Sequence, residues 1–106
     1  MLKKEEKDFG FKNLVLWQKS MDFVNKIYEL TKSFPFEQDK ALVSQLTRAA
    51  ISIPANIAEG SFRRSKMEFV QFLYVAKGSL AEAISLLELA LRQKYVSEIV
   101  HKEMIS

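Results

Sequence analysis

Three groups of residues in this chain have types and spacings that could do chemistry. Glu98-Ile99-Val100-His101 has the Glu-x-x-His spacing that di-iron helical bundles use to put a carboxylate and an imidazole on one helix face. Such a centre takes two of these motifs plus two further carboxylates, and the chain has one histidine. Within one chain the spacing is therefore a coincidence, and only a site shared between chains keeps it open. His101 has no evident nucleophile to activate, and the absence of cysteine removes disulfides, Cys-based zinc sites and thiol catalysis. No catalytic residue, metal or cofactor is assigned, and the chain reads as non-enzymatic.

The second group is basic. Arg63, Arg64 and Lys66 cluster where a third helix is about to start, next to the positive end of its dipole, a placement that favours phosphates. A solvated turn accounts for them as well, because the stretch lacks the glycine spacing of a phosphate cradle and has Phe62 as its one aromatic neighbour. The third group, Arg48, Ser52, Asn56, Glu59 and Arg63, shares one angular sector if the second helix reaches Arg63. It is either a polar binding strip or, more economically, a set of groups that satisfy one another at subunit contacts. Arg48, Arg63, Arg64 and Lys66 are thus the candidates for nucleic-acid contact. The net charge of +3 permits a polyanionic partner without demanding one, since bases and acids are interleaved. Trp17 and the eight phenylalanines read as core and interface packing rather than base-stacking platforms.

The elements that must position these residues are helical. Residues 1–10 read as a charged, mobile lead-in. A first helix is predicted from an N-cap at Asn13 to near Phe34, with Leu14, Trp17, Met21, Val24 and Tyr28 on one seam, and Pro35 ends it. A second opens around Glu37 to Asp39 and runs through Pro54 as one kinked helix to Glu59, with Gly60 as its stop. Ser65-Lys66-Met67-Glu68 is a capping box for a third helix reaching Gln93, whose seam is Phe69, Leu73, Ala76, Leu80, Ala83, Leu87 and Ala90. On that seam Leu80→Ala is expected to cost about 2 to 5 kcal/mol. A turn at Lys94 to Val96 leads to a fourth helix starting at Ser97 and Glu98 and stopping at Ser106.

Between Ala41 and Ala58 the only charge is Arg48, and two apolar seams emerge. One is Leu42, Val43, Leu46, Ala49, Ala50, Ile53 and Ile57. The other includes Ile51, Ala55 and Ala58, which are the candidate oligomer-interface residues, because a chain of 106 residues has one core and the second seam is most economically covered by another copy. The fold class is all-α: a single domain over residues 1–106, an up-down-up-down, left-handed four-helix bundle with a short fourth helix that leaves a groove along the third. No signal-peptide pattern opens the chain, and no apolar run approaches the roughly 18 to 20 residues of a membrane span, so a cytoplasmic protein without a membrane partner is expected.

The stretches from Phe11 to Lys19, Gln45 to Gly60 and Gly78 to Glu82, above all Ser52-Ile53-Pro54-Ala55-Asn56-Ile57-Ala58-Glu59-Gly60, resemble the 23S ribosomal RNA intervening-sequence proteins. That resemblance implies a bacterial four-helix bundle assembled into a ring, a homopentamer, with a role in RNA or DNA binding. It also implies kinship with the accessory variability determinant of diversity-generating retroelements, which works beside a reverse transcriptase. A protein-interaction scaffold for such a partner, without nucleic-acid binding of its own, is the competing reading. Thr47 stands where the family commonly has a second arginine, and relatives usually continue the fourth helix beyond the position of Ser106.

Overall fold

The computed structural model describes residues 10–106, and among these the chain forms four α-helices and no strand. A short 3-10 turn, Gly10–Asn13, precedes α1 (Val15–Thr31), α2 (Lys40–Ser61), α3 (Lys66–Arg92) and α4 (Glu98–Ile105). The all-α expectation holds. The expected lead-in lies, apart from Gly10, outside the described residues.

Helix starts follow local chemistry where a short polar side chain is available. Asp39 Oδ1 accepts from Leu42 N at 3.1 Å, Ser65 Oγ from Glu68 N at 3.1 Å and Ser97 Oγ from Val100 N at 3.2 Å, so α2, α3 and α4 each open on a side-chain cap. Asn13 does not cap α1. Leu14 holds that position with no side-chain bond, because Leu14 N donates to Phe11 O at 3.0 Å and winds Asn13 into the preceding turn. At its other end α1 stops at Thr31, short of Phe34, whose N–H donates back to Thr31 O in a turn ahead of Pro35. α2 passes through Pro54 as one helix, as its unbroken apolar phase predicts.

Gly60 does not end α2. It lies in the last turn, buried, where a Cβ would meet Phe72 Cβ at 2.7 Å and Phe69 Cδ1 at 2.9 Å. The missing side chain lets α3 close on α2. Farther along, Ser52 Oγ and Ser79 Oγ share a hydrogen bond of 2.8 Å, and the Tyr95 hydroxyl donates to Asp39 Oδ2 at 3.2 Å. Residues descending in α2 therefore meet residues ascending in and beyond α3, so these two helices run in opposite directions. α3 ends by having Lys94 adopt φ 65°, with Tyr95 N donating to Ala90 O and Lys94 N to Leu91 O, a left-handed stop made without glycine.

The core has two parts. One joins Val24 and Ile27 of α1, Leu42, Leu46 and Ala50 of α2 and Ala83, Leu87 and Ala90 of α3; the other joins Ile53, Ile57 and Ala76, with Leu14 and Trp17 packed against them. α4 contributes no fully buried residue. At ~1.5 Å per residue it spans about 12 Å beside an α3 of about 40 Å. The groove expected along α3 is therefore present as a cavity of about 270 Å³, lined by Leu16, Phe23, Ile53, Leu80, Ile84 and Met104 among others.

Leu80 consequently departs from its expected role. It is 38% exposed at the groove wall, while Ala83 and Leu87 on the same seam are sealed. Truncating it leaves no closed void, so the expected cost falls well below that of a core leucine. By length and composition alone α3 could cross a membrane, and 17% of its most apolar 18-residue window is buried. The unbroken apolar run looked for in the sequence misses it because Lys77 and Glu82 interrupt the stretch without offsetting its average.

Candidate functional site

The basic cluster sits at the tight connection between α2 and α3. Phe62 N–H donates to Glu59 O and Gly60 O, Arg63 N donates to Gly60 O at 3.0 Å, and Ser65 caps α3 three residues after Phe62. The close approach at Gly60 brings Phe72 beneath this connection, and the Arg63 guanidinium lies 4.8 Å from the Phe72 ring centroid. Arg63 also pairs with Glu59 at 3.8 Å. It is the positioned cation of the three. Arg64 and Lys66 are exposed and form no ion pair among the described residues.

An aromatic chain that sequence reasoning did not find reaches the same place. Phe11 packs edge-on against Trp17, with ring centroids 5.1 Å apart and planes at 73°, and its other side faces Phe62 at 5.9 Å. Phe62 is nevertheless 63% exposed, so within this chain it lies outside the core. No periodicity relates Phe11 to Phe62, so only the tertiary structure could bring them together. The turn that carries Phe11 adds exposed Lys12 to this end of the molecule.

Arg48 stands apart. About 20 Å of helix separate it from the end of α2 at Ser61. The polar strip expected from Arg48 to Arg63 divides by partner. Ser52 turns to Ser79 of α3, and Asn56 Nδ2 donates to Ser52 O at 2.8 Å and Ser52 Oγ at 2.9 Å, so both satisfy groups inside the chain. Glu59 pairs with Arg63, and Arg48 points to solvent. Mutual satisfaction within the chain thus accounts for most of the strip, along α2 and, through Ser52, with α3.

The outer seam of α2 is where the helical period places it. Ile51 is 43% exposed, Ala55 is exposed and Ala58 half-buried, while Leu46, Ala50 and Ile57 across the helix are sealed. At the other end of the molecule, Glu98 and His101 do not assemble into a larger cluster, since no three His, Asp or Glu side chains gather in metal-binding geometry among the described residues. His101 Nε2 is buried with no hydrogen-bond partner among the described residues. Burial, its bond to Asp39 and the Asp39 charge together hold the Tyr95 hydroxyl above its ordinary pKa of 10.0.

Residues 12–106 match the family model described as 23S rRNA-intervening sequence protein. The chain belongs to that family. No curated protein matches it. In this intervening-sequence protein the match covers every helix and the second half of the 3-10 turn. The two internal stretches that carry the resemblance, Gln45 to Gly60 and Gly78 to Glu82, meet in space through Ser52 and Ser79. Two of the stretches that carry the resemblance thus touch at the α2–α3 contact, and Gly60 at its end sets the position of the basic turn.

Proposed function

We propose that this intervening-sequence protein is a non-enzymatic assembly of identical up-down-up-down, left-handed bundles, a homopentameric ring in the bacterial cytoplasm, that holds RNA or DNA by their phosphates. The outer seam of α2, Ile51, Ala55 and Ala58, makes the subunit contact. Arg64 and Lys66, with Arg63 held beside them and Arg48 as a separate outlying contact, meet the nucleic acid. The observation that carries the reading is the placement of Arg64 and Lys66: two cations without acidic partners among the described residues, beside the N-terminus of a 27-residue helix. Repetition around a ring turns a few charges per chain into avidity.

A second reading is favoured by the open groove between α1, α2 and α3, whose walls are mostly apolar. There the ring is a scaffold that receives a protein partner such as a reverse transcriptase, in the manner of the retroelement accessory protein that this family resembles, and binds no nucleic acid itself. A salt-titrated RNA-binding assay separates the two. The phosphate reading predicts affinity that falls with salt, by about 0.7 to 0.9 in log–log slope for each phosphate neutralised, and little sequence preference. Arg64→Glu with Lys66→Glu should remove that affinity while leaving the circular dichroism spectrum unchanged, since neither residue pairs with an acid within the described chain. Absence of wild-type binding at low salt would favour the scaffold.

A further inference from the structure

We infer that the outer flank of α3, which carries Met67, Val70 and Tyr74, is the surface that receives the outer seam of α2 from a second copy of this chain. This rests on the assembly reading above and adds the other half of the contact.

A seam that met only its own counterpart would make a two-fold pair and stop there, whereas a ring needs two different patches on every subunit, each matching the other. The seam is also too small to act alone. A stable contact covers about 800 Å² on each partner, and Ile51, Ala55 and Ala58 supply a small part of that. The matching patch must therefore be apolar, extended, and directed elsewhere than the seam.

The flank of α3 meets these requirements. Met67 and Tyr74 are 74% and 67% exposed, and Val70 between them is exposed as well, at steps of three and four that put all three on one face. No other helix among the described residues holds three exposed large apolar side chains in such a row, and a row of this kind marks a contact surface where single exposed side chains do not. At about 100° per residue, Tyr74 lies roughly 140° round α3 from Ser79 and roughly 160° from Phe72, and these two meet α2. The row thus points away from its own α2 and is left open among the described residues. The shapes match: the seam offers a shallow strip of small side chains beside Ile51, and the row offers long side chains to enter it, which is how facing helices interdigitate. Lys66 and Glu68 lie about 100° to either side of Met67, at the rim, where a contact keeps its charges and Lys66 stays accessible.

The test is a mixing experiment read by multi-angle light scattering on the full chain. Val70→Glu with Tyr74→Glu removes the row, and Ile51→Glu with Ala55→Glu removes the seam. Each double variant alone should fall to the 12.2 kDa chain mass with its helical circular dichroism kept, while Tyr74→Phe should assemble as the wild type does. Should the row variant lose its helicity, Met67→Glu at the exposed end of the row takes its place. Mixed in equal amounts, the row variant still has a seam and the seam variant still has a row. One good contact is then available, and the mixture should show a species of twice the chain mass. A row variant that stays assembled like the wild type, or a mixture that remains at 12.2 kDa up to hundreds of micromolar, would overturn this inference and leave the assembly reading standing. A wild type of 12.2 kDa would overturn both, and binding of that monomer to anionic vesicles, lost in the row variant, would identify the occupant as a lipid surface.

Discussion

Within α3, two interleaved rows of apolar residues have opposite fates. Ala83 and Leu87 are sealed between α1 and α2, while Leu80 and Ile84 stand 38% and 37% exposed beside an open cavity. All four belong to the apolar stripe that the helical period defines. What separates them is the neighbour: α2 runs beside α3 throughout, whereas α4 has eight residues and leaves the rest of the groove wall without a cover. A hydrophobic stripe specifies which face seeks burial, and the lengths of the other elements decide how much of it is achieved.

Substitutions in the two rows make the contrast measurable. Leu87→Ala should cost about 2 to 5 kcal/mol in urea unfolding, from lost transfer energy and a void that the sealed core cannot fill. Leu80→Ala should cost about 1 kcal/mol, since its side chain is already partly in water and its removal widens a groove rather than opening a cavity. Equal losses would mean that the groove is closed in solution.

The two helical glycines sharpen the same comparison, because they sit on opposite faces. A Cβ at Gly60 would lie 2.7 Å from Phe72 Cβ, so Gly60→Ala forces α2 and α3 apart and should cost about 1 to 3 kcal/mol. Nothing lies within 4 Å of a Cβ at Gly78, on the outside of α3, so Gly78→Ala should stabilise the chain by about 0.5 to 1 kcal/mol through reduced backbone entropy in the unfolded state. Thermal unfolding that moves both variants in one direction would break the assignment of inner and outer faces.

The smallest effect expected is a matter of pH at the end away from the basic turn. The Tyr95 pKa is raised above 10.0 in the folded chain, so the folded state holds that proton more tightly than the unfolded one. The stability contributed is fully present below pH 10.0 and is lost as pH rises through the folded pKa. Tyr95→Phe should remove this part of the alkaline decline. Parallel declines for variant and wild type would place it on another group.

Much of the fold was legible because it is local. Asp39, Ser65 and Ser97 each cap a helix a few residues away, and the third helix announces itself by repeating one spacing along its whole length. Gly60 was legible as a special position and misread as to its kind, since a stop and a close approach both call for glycine and only the position of Phe72 tells them apart. The left-handed end of α3 falls on Lys94, where residue type gives no sign of it. Of the candidate site, the cations of the α2–α3 turn were visible as a charge run. The aromatic pair beside them was not, because Phe11 and Phe62 are joined by no spacing rule and become neighbours only when the 3-10 turn folds onto the end of α2.

The central claim, that the outer face of α2 is a contact between identical chains, is tested most directly by multi-angle light scattering on the wild type and on Ile51→Glu with Ala55→Glu at micromolar concentration. The account predicts a wild-type mass that is a multiple of the 12.2 kDa chain, near five-fold, and a double variant that falls to 12.2 kDa while keeping its helical circular dichroism. A wild-type mass of 12.2 kDa, or an assembly that survives two buried glutamates at these positions, would contradict it.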